Sequence, residues 1–242
     1  MPWYSLCTGE TNPALDHGHV FSLKLDHNRL TKIPDLSHLH NILTLYLSSN
    51  SISNSPNDKD LLALDLTHLY LDHDALTSIP AVSDLPQLTE LHVSHNHITS
   101  IDGIVLPNSL STLDADANNI TAITTTLTFT FNDLPNNLFD VYLSDNPITS
   151  IATDAFQSLN QLRELDLTGT RLTRLPVTLA DLTNLDILYL YDIPDLVCTC
   201  QESLSLVGWY NTRPASMVLD GDCGETSVQY FLGNLAQKCP TS

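Results

Sequence analysis

The sequence predicts an α/β solenoid, a horseshoe of stacked coils with a parallel concave sheet and a disulfide-bonded C-terminal helical cap. Three observations predict it. An apolar template recurs eight times in register between residues 20 and 195. Inside each copy the apolar positions lie two apart, the period of a short strand that buries one face. Four of the five cysteines follow the last copy, where a stack of coils has to be closed.

The template is Leu-x-x-Leu-x-Leu-x-x-Asn-x-Leu, the leucine-rich repeat. It opens at Val20 with Leu23, Leu25, Asn28 and Leu30, and returns at Ile42 with Leu45, Leu47, Asn50 and Ile52. Leu66, Leu69, Leu71, Asp74 and Leu76 follow, then Leu88, Leu91, Val93, Asn96 and Ile98. The fifth unit is Leu110, Leu113, Ala115, Asn118 and Ile120; the sixth is Leu138, Val141, Leu143, Asn146 and Ile148. The seventh has Leu162, Leu165, Leu167, Thr170 and Leu172, and the eighth starts at Leu185 with Leu188 and Leu190 before the pattern lapses. Stacked strands ~4.8 Å apart give a sheet roughly 35 Å long. The Asn turns inward, where its amide satisfies backbone groups that the bend leaves unpaired. Asp74 and Thr170 can replace some of those bonds, and Ile193 cannot.

The connections between strands differ. Early units of 22 to 24 residues return through short segments such as Ile33 to Leu39, extended or helical for one turn. The stretch Asp154 to Leu159 resembles the return of a typical extracellular repeat. The longest return contains Thr126-Leu127-Thr128-Phe129-Thr130-Phe131, whose alternation reads as a convex-side strand with Leu127, Phe129 and Phe131 inward; the other reading is a binding loop.

Composition bounds the partners. A formal charge of −19 and a pI near 4.4 exclude nucleic acid and anionic membrane, which need Lys and Arg. No apolar run approaches the ~18–20 residues of a membrane span. The first residues, Met1-Pro2-Trp3-Tyr4-Ser5, lack the basic and apolar stretches of a secretory signal, so the compartment has to be read from the cysteines. Cys198, Cys200, Cys223 and Cys239 clamp a short segment, which points to an oxidising environment; zinc is the alternative, without the usual paired Cys-x-x-Cys spacing. Two helices are expected there. One runs near Gln201 to Tyr210 with Leu204, Val207 and Trp209; the other opens at Thr226 with Gln229 as a capping box and carries Val228, Phe231, Leu232 and Leu235.

The domain plan is therefore an N-terminal cap (1–19), eight repeats (20–195) and a C-terminal cysteine-rich cap (196–242). The motif Cys198-Thr199-Cys200, then Trp209-Tyr210, Pro214, Cys223-Gly224, Thr226, Val228 and Cys239-Pro240 resembles the cap of extracellular leucine-rich-repeat proteins. It is especially similar to that of the variable lymphocyte receptors of jawless vertebrates. The resemblance implies the pairs Cys198–Cys223 and Cys200–Cys239, an extracellular location, secreted or anchored through further sequence, and protein or carbohydrate antigens bound on the concave sheet. Two departures stand out. Only Cys7 precedes the repeats, as a free thiol or half of an external bridge, where the family has four cysteines. The segment between Cys200 and Cys223 is short, leaving room only for a small loop from Arg213 to Asp222.

The repeat register assigns the outward face. Its central column reads Lys24, Tyr46, Tyr70, His92, Asp114, Tyr142, Asp166 and Tyr189. Before it stand Ser22, Thr44, His68, Glu90, Thr112, Asp140, Glu164 and Ile187; after it stand Asp26, Ser48, Asp72, Ser94, Asp116, Ser144, Thr168 and Tyr191. Rigid amphipathic rings among small hydrogen-bonding groups are the composition of a binding surface. Sheet faces also favour Tyr and Thr for their own sake. Tyr46, Tyr70, His92, Asp114, Asp116, Asp140, Tyr142, Glu164, Asp166 and Tyr189 are the expected contact residues, and the carboxylates, with Asp145, ask for a cationic or hydroxyl-rich ligand. His68, His73, His92 and His95 on neighbouring strands would permit a metal or pH switch, although no metal or cofactor is expected. Asp114 and Asp140 could imitate a glycosidase pair, but an open sheet excludes no water, so no enzyme is expected. Asn119-Ile120-Thr121 is the one glycosylation sequon. The expectation is an immune-type recognition module for microbial or other foreign surfaces; the alternative is a matrix or adhesion protein with an endogenous protein partner.

Overall fold

A strand with one apolar face must seal that face, and from the second coil onward it is sealed; Leu23 and Leu25 of the first are partly buried. Leu45, Leu69, Leu91, Leu113 and Leu165 are inaccessible to solvent, as are Leu47, Leu71, Val93, Ala115 and Leu167 two residues on. The computed structural model describes residues 21–36, 39, 41–53, 61, 64–130 and 136–239. The expected N-terminal cap, with Cys7, lies outside them.

The main sheet contains β1 (Ser22–Lys24), β2 (Thr44–Tyr46), β3 (His68–Tyr70), β4 (Glu90–His92), β6 (Thr112–Asp114), β9 (Asp140–Tyr142), β11 (Glu164–Asp166) and β12 (Ile187–Leu190), all parallel neighbours. The register aligns Leu23, Leu45, Leu69, Leu91, Leu113, Val141, Leu165 and Leu188 in one row. On the convex side β5 (Val105–Leu106) pairs with β8 (Thr128–Phe129), and β7 (Ala122–Ile123) with β10 (Ser150–Ile151). Leu127 and Phe129 point inward, as their alternation predicts; Phe131 lies outside the described residues.

The Asn ladder holds the coils in register. Asn96 Nδ2 donates to the carbonyls of Leu71, Val93 and Ser94 at 2.8, 3.0 and 3.1 Å, while its Oδ1 accepts from Leu76 N at 2.9 Å. Asn118 and Asn146 repeat that set one and two coils on. Each therefore binds its own turn and its neighbour's, satisfying buried groups of both. Thr170 keeps only the bond to its own coil, Oγ1 to Leu167 O at 2.8 Å. Directly before each rung the chain turns through the left-handed region, at His27, Ser49, His73, His95, Ala117, Asp145, Gly169 and Asp192. The N–H of the turn residue itself reaches across to the adjacent coil, as in His95 N to Asp116 O at 2.9 Å.

The sheet does not end at the eighth repeat. The segment read from sequence as room for a small loop instead forms β13 (Val218–Cys223), parallel to β12, and β14 (Thr226–Ser227) then pairs with it antiparallel. Leu219 and Cys223 are buried, and Gly221 lies so close to Leu190 that a Cβ would strike its backbone. The open edge of β12 is thereby covered, which a solenoid end requires.

Over this edge sits α1 (Cys200–Asn211), with Leu206 and Trp209 buried and Trp209 Nε1 donating to Leu182 O at 2.9 Å. The Leu204 side chain is outside the described set. The second helix starts one residue later than the sequence suggests. Ser227, the last residue of β14, caps α2 (Val228–Tyr230) by accepting from Tyr230 N, in place of the cap expected at Thr226 with Gln229. The chain then widens into a π turn over Phe231–Leu235. The extra residue in that turn rotates Leu235 outward to 39% exposure and puts Ala236 in the core instead. Val228, Phe231 and Leu232 are buried as expected. Disulfides join Cys198 to Cys223 and Cys200 to Cys239, the pairs that the family resemblance implies.

Candidate ligand-binding face

Residues flanking a buried strand residue must project from the sheet's other side. The strand register sets Lys24, Tyr46, Tyr70, His92, Asp114, Tyr142, Asp166 and Tyr189 side by side, and β13 extends that column to Asp220. The column before it likewise continues from Ile187 to Val218. Asp116 and Tyr191 stand just past their strands, in the third column. Asp145 does not join the face; it occupies the left-handed turn position.

The face divides into three zones. In the first, Tyr46 stacks on Tyr70 with ring centroids 4.7 Å apart, Tyr70 on His92 at 4.6 Å, and Lys24 Nζ lies over Tyr46. Glu90 ties this zone together, accepting from the Tyr70 hydroxyl at 3.3 Å and facing His68 and His92, each at 3.5 Å. His92 Nδ1 lies 3.3 Å from Asp114. Burial alone would lower the His92 pKa, but the hydrogen bond and charge of Asp114, with Asp72 and Glu90, more than offset it and raise it. Donor atoms of Asp72, His92 and Asp114 all lie within 4.8 Å of one another. His73 and His95 stack on each other in the turn column instead, so the four histidines do not converge.

The second zone is acidic. Asp114, Asp116, Asp140, Glu164 and Asp166 surround Tyr142, and no Lys or Arg projects from the three columns beyond Lys24. Arg163 acts on Asp140 from the rim, where it stacks on Phe139 at 5.0 Å. Some of these carboxylates serve the backbone: Asp116 Oδ1 accepts from Ser144 N at 2.6 Å and Asp166 Oδ1 from Thr168 N at 2.8 Å. Burial and then the charge of Asp114 push Asp116 up to about 6, against the bonds from Ser144. Burial and Asp140 raise Glu164, and burial raises Asp140 despite its bond from Thr112. Burial, Glu164 and Asp140 push the Tyr142 hydroxyl up to about 12.

The third zone lies at the cap. Tyr189 stacks on Tyr191 at 5.9 Å, and the Tyr191 hydroxyl donates to Asp220. Beside them is a groove of about 480 Å³ lined by Leu190, Tyr191, Asp192, Ile193, Pro194, Asp222 and Gly224. Sequence reasoning missed Val218, Asp220 and Asp222, which belong to this face. Their signal was the alternation Leu219-x-Gly221-x-Cys223, disguised because Gly is not read as apolar and Cys223 was read only as a bridge. Outside the sheet, Asn119 of the sequon is exposed at the rim, its N–H bonded to Ile98 O at 2.8 Å.

Comparison with known proteins agrees with the repeat pattern. The family model described as "Leucine rich repeat" matches residues 136–192, from β9 to β12, and "Leucine Rich repeats (2 copies)" matches residues 86–136. The chain carries leucine-rich repeats and has the leucine-rich-repeat fold. The leucine-rich-repeat chain is 30% identical over 142 residues to Toll-like receptor 7 of Mus musculus, covering 55% of its own length and 13% of that receptor. Its fold matches a chain in the octameric complex of Latrophilin 3 (Lec, Olf), Unc5D (Ig, Ig2, TSP1) and FLRT2 (LRR), with a TM-score of 0.68 and 23% identity, over 90% of this chain and 76% of that one. No helix among the described residues is long and apolar enough to cross a membrane.

Proposed function

We propose that this leucine-rich-repeat protein is an extracellular recognition module that binds a protein ligand on its concave sheet. The observation that carries the reading is the face itself: nine parallel strands presenting stacked Tyr rings, a bank of carboxylates and an aromatic corner, without a loop across it among the described residues. Two disulfides in the cap support an oxidising, extracellular setting. The immune-type assignment is supported by the cap resemblance to the lymphocyte receptors and by the match to a Toll-like receptor. An adhesion role is the second reading, favoured by the fold shared with a complex that assembles Latrophilin 3, Unc5D and FLRT2.

An array of extracellular protein domains and microbial glycans, probed with the folded chain, tests this. Tyr142→Ala and Asp166→Ala should each weaken capture, the aromatic change by ~2 kcal/mol or more. Thr130→Ala on the convex side should not. Circular dichroism of every variant separates lost binding from lost fold. Capture that survives both concave changes would rule out the concave site.

A further inference from the structure

The geometry points to the chemistry of that ligand. We propose that the face docks a basic, extended protein segment with the pattern apolar-x-basic-x-basic, the apolar side chain in the groove beside Tyr191 and the basic ones over β11, β9 and β6. The inference rests on the concave-face reading above and goes beyond it in naming the occupant.

Charge complementarity is the first argument. Asp114, Asp116, Asp140, Glu164, Asp166, Asp220 and Asp222 lie in the columns of β6, β9, β11 and β13, on either side of the tyrosines of β12. They lie close enough to repel one another: beyond the larger effect of burial, the charge of Asp114 and Asp166 raises Asp116, and that of Asp140 and Asp166 raises Glu164. A partner bearing guanidinium or ammonium groups would relieve this, whereas a neutral sugar would leave it and a nucleic acid or anionic membrane would add to it. The carboxylates are spread across strands rather than converging on one point, so a row of side chains matches them better than a single ion.

Spacing is the second argument. Strands stand ~4.8 Å apart, so the path from β12 to β6 is about 14 Å. An extended segment crossing the strands points every second side chain down at ~6.6 Å intervals, which gives about three facing positions over that path. The groove is the third argument. At about 480 Å³ it is the size of a small ligand pocket, it adjoins the aromatic corner, and its rim carries Asp192 and Asp222. Apolar and acidic features therefore lie in sequence along one line, and a segment matching both has its register set.

A displayed library of random linear peptides, selected on the full chain, gives the test. Enriched peptides should share Arg or Lys at alternate positions beside one bulky apolar residue. Binding of the best peptide should fall about tenfold or more in the D140N/E164Q/D166N variant and in Tyr191→Ala, and should weaken with added salt. The D84N/D154N variant, which removes two exposed charges outside the three columns and the groove, should bind like wild type. Thermal unfolding of each variant checks the fold, and Tyr191→Phe, which keeps the ring, should retain most of the affinity. Enriched peptides without basic residues that are still lost on Tyr142→Ala would overturn the basic occupant and leave the concave site standing. Peptides indifferent to every sheet substitution would overturn both, and a library with no enrichment would overturn the linear segment.

Discussion

Asp74 occupies the Asn position of the third coil, and its exchange to Asn tests how the ladder works. Its Oδ1 accepts from Ile52 N at 2.7 Å, as the Asn rungs do. Its Oδ2 is buried without a hydrogen-bond partner, where Asn96 and Asn118 place a donating Nδ2. By the repeat's equivalence that oxygen faces the carbonyls of Leu47, Leu71 and Asp72, so acceptor meets acceptor. Burial, with Asp72 nearby and against the bonds from Ile52 and Asn50, pushes Asp74 up to about 6 from an ordinary 3.8. A folded-state pKa above the unfolded one means that the folded chain holds an extra proton between those values. Wild-type stability from this group is thus fullest below pH ~4 and is lost as pH rises through about 6. The shift of about two units corresponds to roughly 3 kcal/mol as an upper bound. Asp74→Asn should therefore stabilise the protein by roughly 1–3 kcal/mol at neutral pH, and the gain should shrink towards pH ~4. Urea unfolding followed by far-ultraviolet circular dichroism, on both proteins across that range, isolates the group because all other titrations are shared. Equal midpoints at every pH, or a less stable variant at neutral pH, would refute the argument.

Two other substitution pairs check the register. Asn96→Ala should cost roughly 1–3 kcal/mol, since it strands the buried groups that its amide serves, whereas Asn119→Ala, exposed and one residue past a rung, should leave the melting temperature unchanged. Gly169→Ala should cost about 1–2 kcal/mol, because φ is +67° and the new Cβ would run into Asp145 Oδ1, whereas Ala117→Gly, at φ 49° in the same turn column, should be neutral or slightly stabilising. Denaturant midpoints measure both pairs, and like signs within the second pair would contradict the shared turn geometry.

What the sequence discloses follows from where free energy constrains it. Leu45, Leu69 and Leu91 are readable because a buried strand residue has few substitutes, and once they are aligned the outward neighbours Tyr46, Tyr70 and His92 follow by alternation. The stacking of those rings was not readable, since it depends on rotamers rather than on register. β13 stayed hidden because two of its inward positions are Gly221 and Cys223, chosen for close approach to Leu190 and for a bridge, not for apolar bulk. The start of α2 was misplaced by one residue because Thr226 and Ser227 are equally good caps by residue type, and β14 runs through both before the helix begins at Val228. The exposure of Leu235 depends on a π turn that helical periodicity cannot anticipate.

The outward columns are the part of the fold that folding constrains least, which makes their order informative. Each projecting side chain sits between buried neighbours whose packing it does not alter, so a soluble solenoid would be served by mixed charges along the sheet. The zones differ in balance instead: rings predominate at β2 to β4, where Asp72 and Glu90 face histidines, carboxylates predominate around Tyr142 from β6 to β11, and β12 forms an aromatic corner. The imbalance has a cost: Asp116 is held up at about 6 in part because Asp114 and Asp166 share its surroundings. Asp116 and Asp166 bond backbone N–H groups, but among the described residues Asp140 and Glu164 have no such bond, and Lys in place of either would lessen the repulsion without touching the core. A composition that raises the free energy of the isolated fold is what a face selected to meet an opposite charge would carry. The acidic bank is in this way consistent with the basic occupant proposed above.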